Sequence, residues 1–91
     1  PNQLVLFEVR EVPKLANDLY TIFLGRRTNV RIIREYVEDH TVFLSSHMRS
    51  ALTQLEEVKK IIVAPIKEDG AKRRKGTFPD DVIIDFVRVL L

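Results

Sequence analysis

A run of thirty-nine residues, from 26 to 64, contains neither glycine nor proline, and it limits what this chain can fold into more than any other feature. Apolar side chains recur along the run every three or four positions, which is the spacing of one face of an α-helix. The run therefore predicts one long amphipathic helix, or two helices in series, that pack against other helices. The apolar positions are Val30, Ile33, Val37, Leu44, Met48, Leu52, Leu55, Val58 and Ile62.

The length of this run leaves two alternatives open. A continuous helix over 29–63 would be about 52 Å long, at roughly 1.5 Å per residue. A globular chain of 91 residues has a radius of gyration near 12 Å and a diameter of about 32 Å. Either the helix breaks near 38–42, where Asp39 or Thr41 can cap a new helix, or a partner covers the part that projects.

The N-terminal quarter of the chain predicts an extended arm followed by a helix. The arm, 1–12, contains a continuous apolar stretch and ends before Pro13, which disfavours helical backbone in the residue that precedes it. Pro13 suits a first helical turn and Gly25 suits a helix C-cap. We therefore predict a helix over 13–24.

The C-terminal quarter predicts a flexible basic loop over 66–77 and a last helix over 78–91. The loop holds five basic residues and two glycines. Thr77 and Asp80 have the spacing of a capping box, and Pro79 suits the first turn of a helix. The sequence stops inside an apolar helical pattern without a cap, which indicates a piece of a larger protein.

These elements predict an all-α fold in a single domain, 1–91. We expect a small antiparallel three- or four-helix bundle with an extended N-terminal arm and a basic loop before the last helix. The absence of cysteine excludes disulfides and thiolate zinc sites, and it is typical of a reducing compartment. No apolar stretch approaches the roughly 20 residues that span a bilayer. We expect an intracellular protein, cytoplasmic or nuclear, without membrane association.

No pattern in the sequence predicts catalysis. His40 and His47 are seven residues apart, which on a helix separates them by roughly 10 Å, too far for one metal ion. Phosphate-binding glycine loops and nucleophile elbows are absent. We therefore expect no enzyme, no cofactor, no metal and no small-molecule substrate.

The excess of apolar surface favours a non-catalytic protein–protein interaction or oligomerisation domain. The predicted last helix has little polar circumference, so a protein partner or a second copy would have to cover it. An extended apolar arm is a second means of docking. The candidate contact residues are Leu4, Val5, Leu6, Phe7, Ile84, Arg88 and Leu91.

The alternative is a helical nucleic-acid-binding domain that uses two basic clusters for phosphate contacts, or a basic segment read by a nuclear import receptor. The net charge of +2 and the lack of aromatic residues between the basic ones place this alternative second. Its candidate contact residues are Arg26, Arg27, Arg31, Arg34, Lys72, Arg73, Arg74 and Lys75.

Overall fold

The computed structural model describes residues 2–67 and 70–88, with side chains described from residue 11 onward. Over these ranges the chain forms helices and strands in the order α, β, α, α, β, β, so the fold is mixed α/β and the expectation of an all-α bundle is wrong. The elements are α1 (Asn2–Phe23), β1 (Arg27–Asn29), α2 (Val30–His40), α3 (Ser45–Glu57), β2 (Ile61–Val63) and β3 (Ile83–Phe86).

The three strands form an antiparallel sheet in the order β1-β3-β2, with β3 in the centre. Ile84 lies opposite Thr28 on one side and opposite Val63 on the other. Buried and partly exposed residues alternate along 82–87, as they do in a strand with one covered face. The helix predicted over 78–91 is therefore wrong in its described part, and residues 89–91 lie outside the described residues.

The N-terminal segment is helical, so the extended arm predicted over 1–12 is wrong for residues 2–12. A single helix, α1, runs through Pro13 to Phe23, so the helix predicted over 13–24 is the second half of a longer one. A proline inside a helix removes one backbone hydrogen bond, but the helix can continue on both sides of it. Gly25, with a φ of 79°, turns the chain after α1, as its position predicts.

The glycine- and proline-free run breaks at 41–44 and ends in a strand. The resulting helices, α2 with 11 residues and α3 with 13, are about 16 and 20 Å long at 1.5 Å per residue. Both fit within a molecule that measures 40 × 32 × 23 Å. Of the two alternatives, the structure shows the break.

Side chains of the turn stabilise this break. The hydroxyl of Thr41 donates to the carbonyl of Val37 at 2.6 Å and accepts the N–H of Phe43 at 3.1 Å. Nδ1 of His47 accepts the backbone N–H of Leu44 at 2.9 Å. The N–H groups of Phe43 and Leu44 thereby gain side-chain acceptors in the turn, so α3 has a fixed starting point.

A single core joins the helices to the covered face of the sheet. The helix α1 packs along α3, and the ring of Phe23 stacks on Phe86 in β3 with centroids 5.4 Å apart. Among the described residues, no helix is both long and apolar enough to cross a membrane. The buried apolar residues are Val12, Leu15, Ala16, Leu19, Phe23, Val30, Ile33, Val37, Met48, Ala51, Leu52, Leu55, Ile61, Val63, Val82, Ile84 and Phe86.

Candidate functional site

The helix α3 has one buried face and one polar face that remains accessible. The buried face carries His47, Met48, Ala51, Leu52 and Leu55. The opposite side of its first three turns carries short hydroxyl side chains around a single arginine. We call these residues the outer face of α3: Ser45, Ser46, Arg49, Ser50 and Thr53.

The chain between β2 and β3, residues 64–82, lies beside this outer face. Its first part folds back on itself, with Ile66 bridged to Lys72. Its second part follows α3, so that Lys75 and Gly76 share a concavity with Thr53 and two glutamates of α3. A second concavity lies between residues 77–80 and the N-terminal half of α3. We call this connection the β2–β3 hairpin.

Arg73 anchors the hairpin to α3. Its guanidinium donates two hydrogen bonds to the carboxylate of Glu56, each 3.1 Å long. Its Nε donates to the carbonyl of Thr77 at 2.8 Å, and the guanidinium lies 4.8 Å from the ring centroid of Phe78. The side chain is only 6% exposed. Arg73 therefore points towards α3, and we call this set of contacts the Arg73 anchor.

The neighbours of Arg73 point outwards. Lys72, Arg74 and Lys75 are all exposed. Within the part of the chain that the structure describes, none of the three forms an ion pair. Of the predicted basic loop, these three cations are therefore accessible to an anionic partner, and Lys75 shares a concavity with Thr53 of the outer face of α3.

Arg34 extends from α2 into the concavity at the start of α3, where Arg49 also lies. Its guanidinium contacts the carboxylate of Asp80 and lies 3.9 Å from that of Glu38. Arg31, which is exposed in the first turn of α2, lines a small depression with Asp80. Arg31 and Arg34, two of the residues predicted to contact phosphates, are thus close to acidic side chains.

The other two members of that set lie at β1, the sheet edge opposite β2. Arg26 is exposed in the turn before β1, and Nε of Arg27 donates to Asp85 at 2.9 Å. This hydrogen bond, together with the charge of Asp85, raises the pKa of Arg27 above its ordinary value. Of the eight predicted phosphate-contacting residues, Arg27, Arg34 and Arg73 thus already have carboxylate partners.

The residues predicted to contact a protein partner lie in different parts of the molecule. Leu4, Val5, Leu6 and Phe7 belong to the first two turns of α1, and their side chains lie outside the described residues. Ile84 is fully buried in the central strand, where it supports the core. Arg88 is exposed just after β3, and Leu91 lies outside the described residues.

Reasoning from the sequence missed the outer face of α3, including Arg49. The helical spacing of Met48, Leu52 and Leu55 places these residues on the polar side of a helix, but it does not show what lies beside that side. The signal that could have revealed them is the Ser45-Ser46 pair, because serine favours helix starts over helix interiors. This serine pair comes shortly after Thr41 and Val42, which are poor helix formers.

The described side chains include no group of three or more histidine, aspartate or glutamate residues placed to hold a metal ion. The site is a polar helix face with a concavity on each side of it, one of which contains the exposed Lys75. Comparison of the chain with protein-family models, with curated proteins and with solved structures finds no match in any of the three.

Proposed function

We propose that this domain binds double-stranded DNA, with the outer face of α3 in the major groove and the exposed cations of the β2–β3 hairpin on the phosphate backbone. One observation carries the proposal: Lys75, which is exposed and forms no ion pair among the described residues, shares a concavity with Thr53 of the hydroxyl-rich outer face of α3. A surface that combines hydrogen-bonding groups with unpaired cations is suited to base edges flanked by phosphates.

The connection of the two central helices supports this orientation. In helix-turn-helix proteins a short turn joins two helices, and the N-terminal residues of the second helix contact base edges. Here four residues, 41–44, join α2 to α3. With the β2–β3 hairpin after it, the unit resembles winged helix-turn-helix domains in topology. A shared topology does not imply a shared function, so DNA binding is inferred from the exposed side chains.

The size of the side chains on α3 also suits a groove. The major groove of B-DNA is about 12 Å wide and admits one α-helix. Serine and threonine are short, so they let a helix axis approach the base edges closely while they offer donors and acceptors. Ser46 and Ser50 provide such groups on the outer face. The hydroxyl of Thr53 donates to the carbonyl of Arg49 at 2.8 Å, so it can offer an acceptor.

The salt dependence of binding tests the proposal. Fluorescence anisotropy with a mixed-sequence duplex, titrated between about 50 and 200 mM salt, should give log K falling linearly with log salt. Each phosphate contact contributes a slope of about −0.9. Lys75→Ala should therefore make the slope shallower by about 0.9, because one phosphate contact is lost.

Lys14→Ala is the matched control, because it also removes one exposed lysine charge. Lys14 lies on α1, the helix that packs against the buried face of α3, so its loss should leave the slope unchanged. The proposal fails if the wild-type chain does not bind duplex DNA at about 50 mM salt. It also fails if both variants show the same slope.

A protein partner or self-association remains a second proposal, and exposed apolar side chains favour it. Val58, Ile62 and Ile66 are each 58% exposed, and Ile62 lies on the edge strand β2. Sedimentation velocity over a range of protein concentrations should show a concentration-dependent rise in sedimentation coefficient, and Ile62→Ser should abolish it. A wild-type chain that sediments as a monomer at every concentration would remove self-association.

A further inference from the structure

Arg49 is in the centre of the outer face of α3, and its neighbours on that face are short. Residues three or four positions away on a helix are neighbours, and for Arg49 these include Ser45, Ser46 and Thr53. All three side chains end in a hydroxyl group close to the helix. The guanidinium of Arg49, which is exposed, is therefore the group on this face that can reach furthest into a groove.

The charge of Arg49 is not committed elsewhere in the described part of the chain. Asp80, an acidic residue in the same concavity, already contacts the guanidinium of Arg34. Arg27 and Arg73 have carboxylate partners of their own. No ion pair forms between Arg49 and another described residue, so its planar array of donors remains available to a ligand.

Among the base edges of the major groove, guanine alone presents two adjacent acceptors, N7 and O6. Adenine pairs an acceptor with a donor, thymine presents one acceptor and a methyl group, and cytosine presents a donor. An arginine has donors in a fork and no acceptor. We infer that Arg49 binds the N7 and O6 atoms of a guanine and so makes binding sequence-selective, an inference that rests on the DNA binding proposed above.

The inference can be tested in two steps. First, duplexes that bind the wild-type chain are selected from a random pool near physiological salt, and the selected site should contain a guanine at a fixed position. Second, that guanine is replaced by 7-deazaguanine, in which a C–H group replaces the N7 acceptor. Wild-type affinity should fall about tenfold, whereas Arg49→Ala should bind both duplexes equally.

Two further variants separate base recognition from charge. Lys75→Ala should keep the wild-type response to 7-deazaguanine while its salt slope becomes shallower. Arg49→Lys retains the charge but loses the fork, so its salt slope should match the wild type while its preference for guanine falls. Circular dichroism checks that each variant is folded.

The outcomes distinguish this inference from the proposed function. A wild-type chain that binds duplex DNA at low salt but selects no guanine overturns the role of Arg49 and leaves DNA binding intact. The role of Arg49 is also overturned if 7-deazaguanine weakens Arg49→Ala as much as the wild type. A chain that binds no duplex at all removes both.

Discussion

At the scale of single residues, Arg73 differs from its neighbours although all are basic. Lys72 and Arg74 are exposed, whereas Arg73 is held between Glu56 and the ring of Phe78. Consecutive residues of an extended segment point to opposite sides, so in such a segment only one side chain in two faces α3. A sequence of four consecutive cations does not show which one faces inwards.

Replacement of Arg73 by alanine should destabilise the domain by about 2–3 kcal/mol, because Glu56 loses its partner and Thr77 loses a donor. Glu56 retains some contact with water, which keeps this value below that of a fully buried pair. The measurement is the free energy of unfolding in urea.

Arg74→Ala is the matched control for this change, because it removes the same side chain from an exposed position. It should alter the free energy of unfolding by no more than about 0.5 kcal/mol. Equal losses for the two variants would show that the Arg73 anchor does not stabilise the hairpin.

At the scale of elements, β3 shows that one apolar pattern is compatible with both a helix and a strand. The pattern of 82–88 is compatible with a helix face, and the capping signals at Thr77 and Asp80 favour that interpretation. In the structure these residues make turns instead: the N–H of Thr77 bonds to Arg74 O and that of Val82 bonds to Pro79 O, each at 3.1 Å. The residue types that cap helices also favour turns, while the β-branched residues of 82–84 favour the strand.

Two isoleucines test the strand directly. Ile84 is 0% exposed and Ile83 is only partly buried, so Ile84→Ala should lower the free energy of unfolding by about 2–5 kcal/mol, the range for buried isoleucine. Ile83→Ala is the matched control and should lower it by about 1 kcal/mol. The reverse order, measured by urea denaturation, would contradict the alternation of buried and partly exposed residues along β3.

At the scale of the whole molecule, chain length and local periodicity predicted the helices of the central run, whereas nothing in the sequence predicted which strands pair. A helix of about 52 Å would project from a domain about 32 Å wide, which favours a break. Six positions of the apolar stripe are buried, as its helical spacing predicts. Leu44, Val58 and Ile62 are exposed. Leu44 lies in the turn, Val58 follows α3, and Ile62 is on the opposite face of β2 from the buried Ile61 and Val63. The strands β1 and β3 are far apart in sequence, so no local pattern reveals their pairing.

The same limit applies to the candidate site. The exposed cations Lys72, Arg74 and Lys75 were visible as a basic segment, because charge is a property of composition. The outer face of α3 was visible only as the side opposite Met48, Leu52 and Leu55. That Lys75 lies beside this face depends on a contact between residues distant in sequence, which no local pattern shows. Which cations meet acidic partners depends on contacts such as the one between Arg34 and Asp80, which are 46 positions apart.

The Arg73 anchor has a thermodynamic consequence for the proposed complex. Because the hairpin is already held against α3, its cations would meet a ligand without first ordering the backbone that carries them. Basic arms that fold only upon binding lose conformational entropy at that moment, which lowers their affinity for a given contact area. The heat-capacity change of binding should then reflect the contact surface alone, without a contribution from coupled folding of this segment.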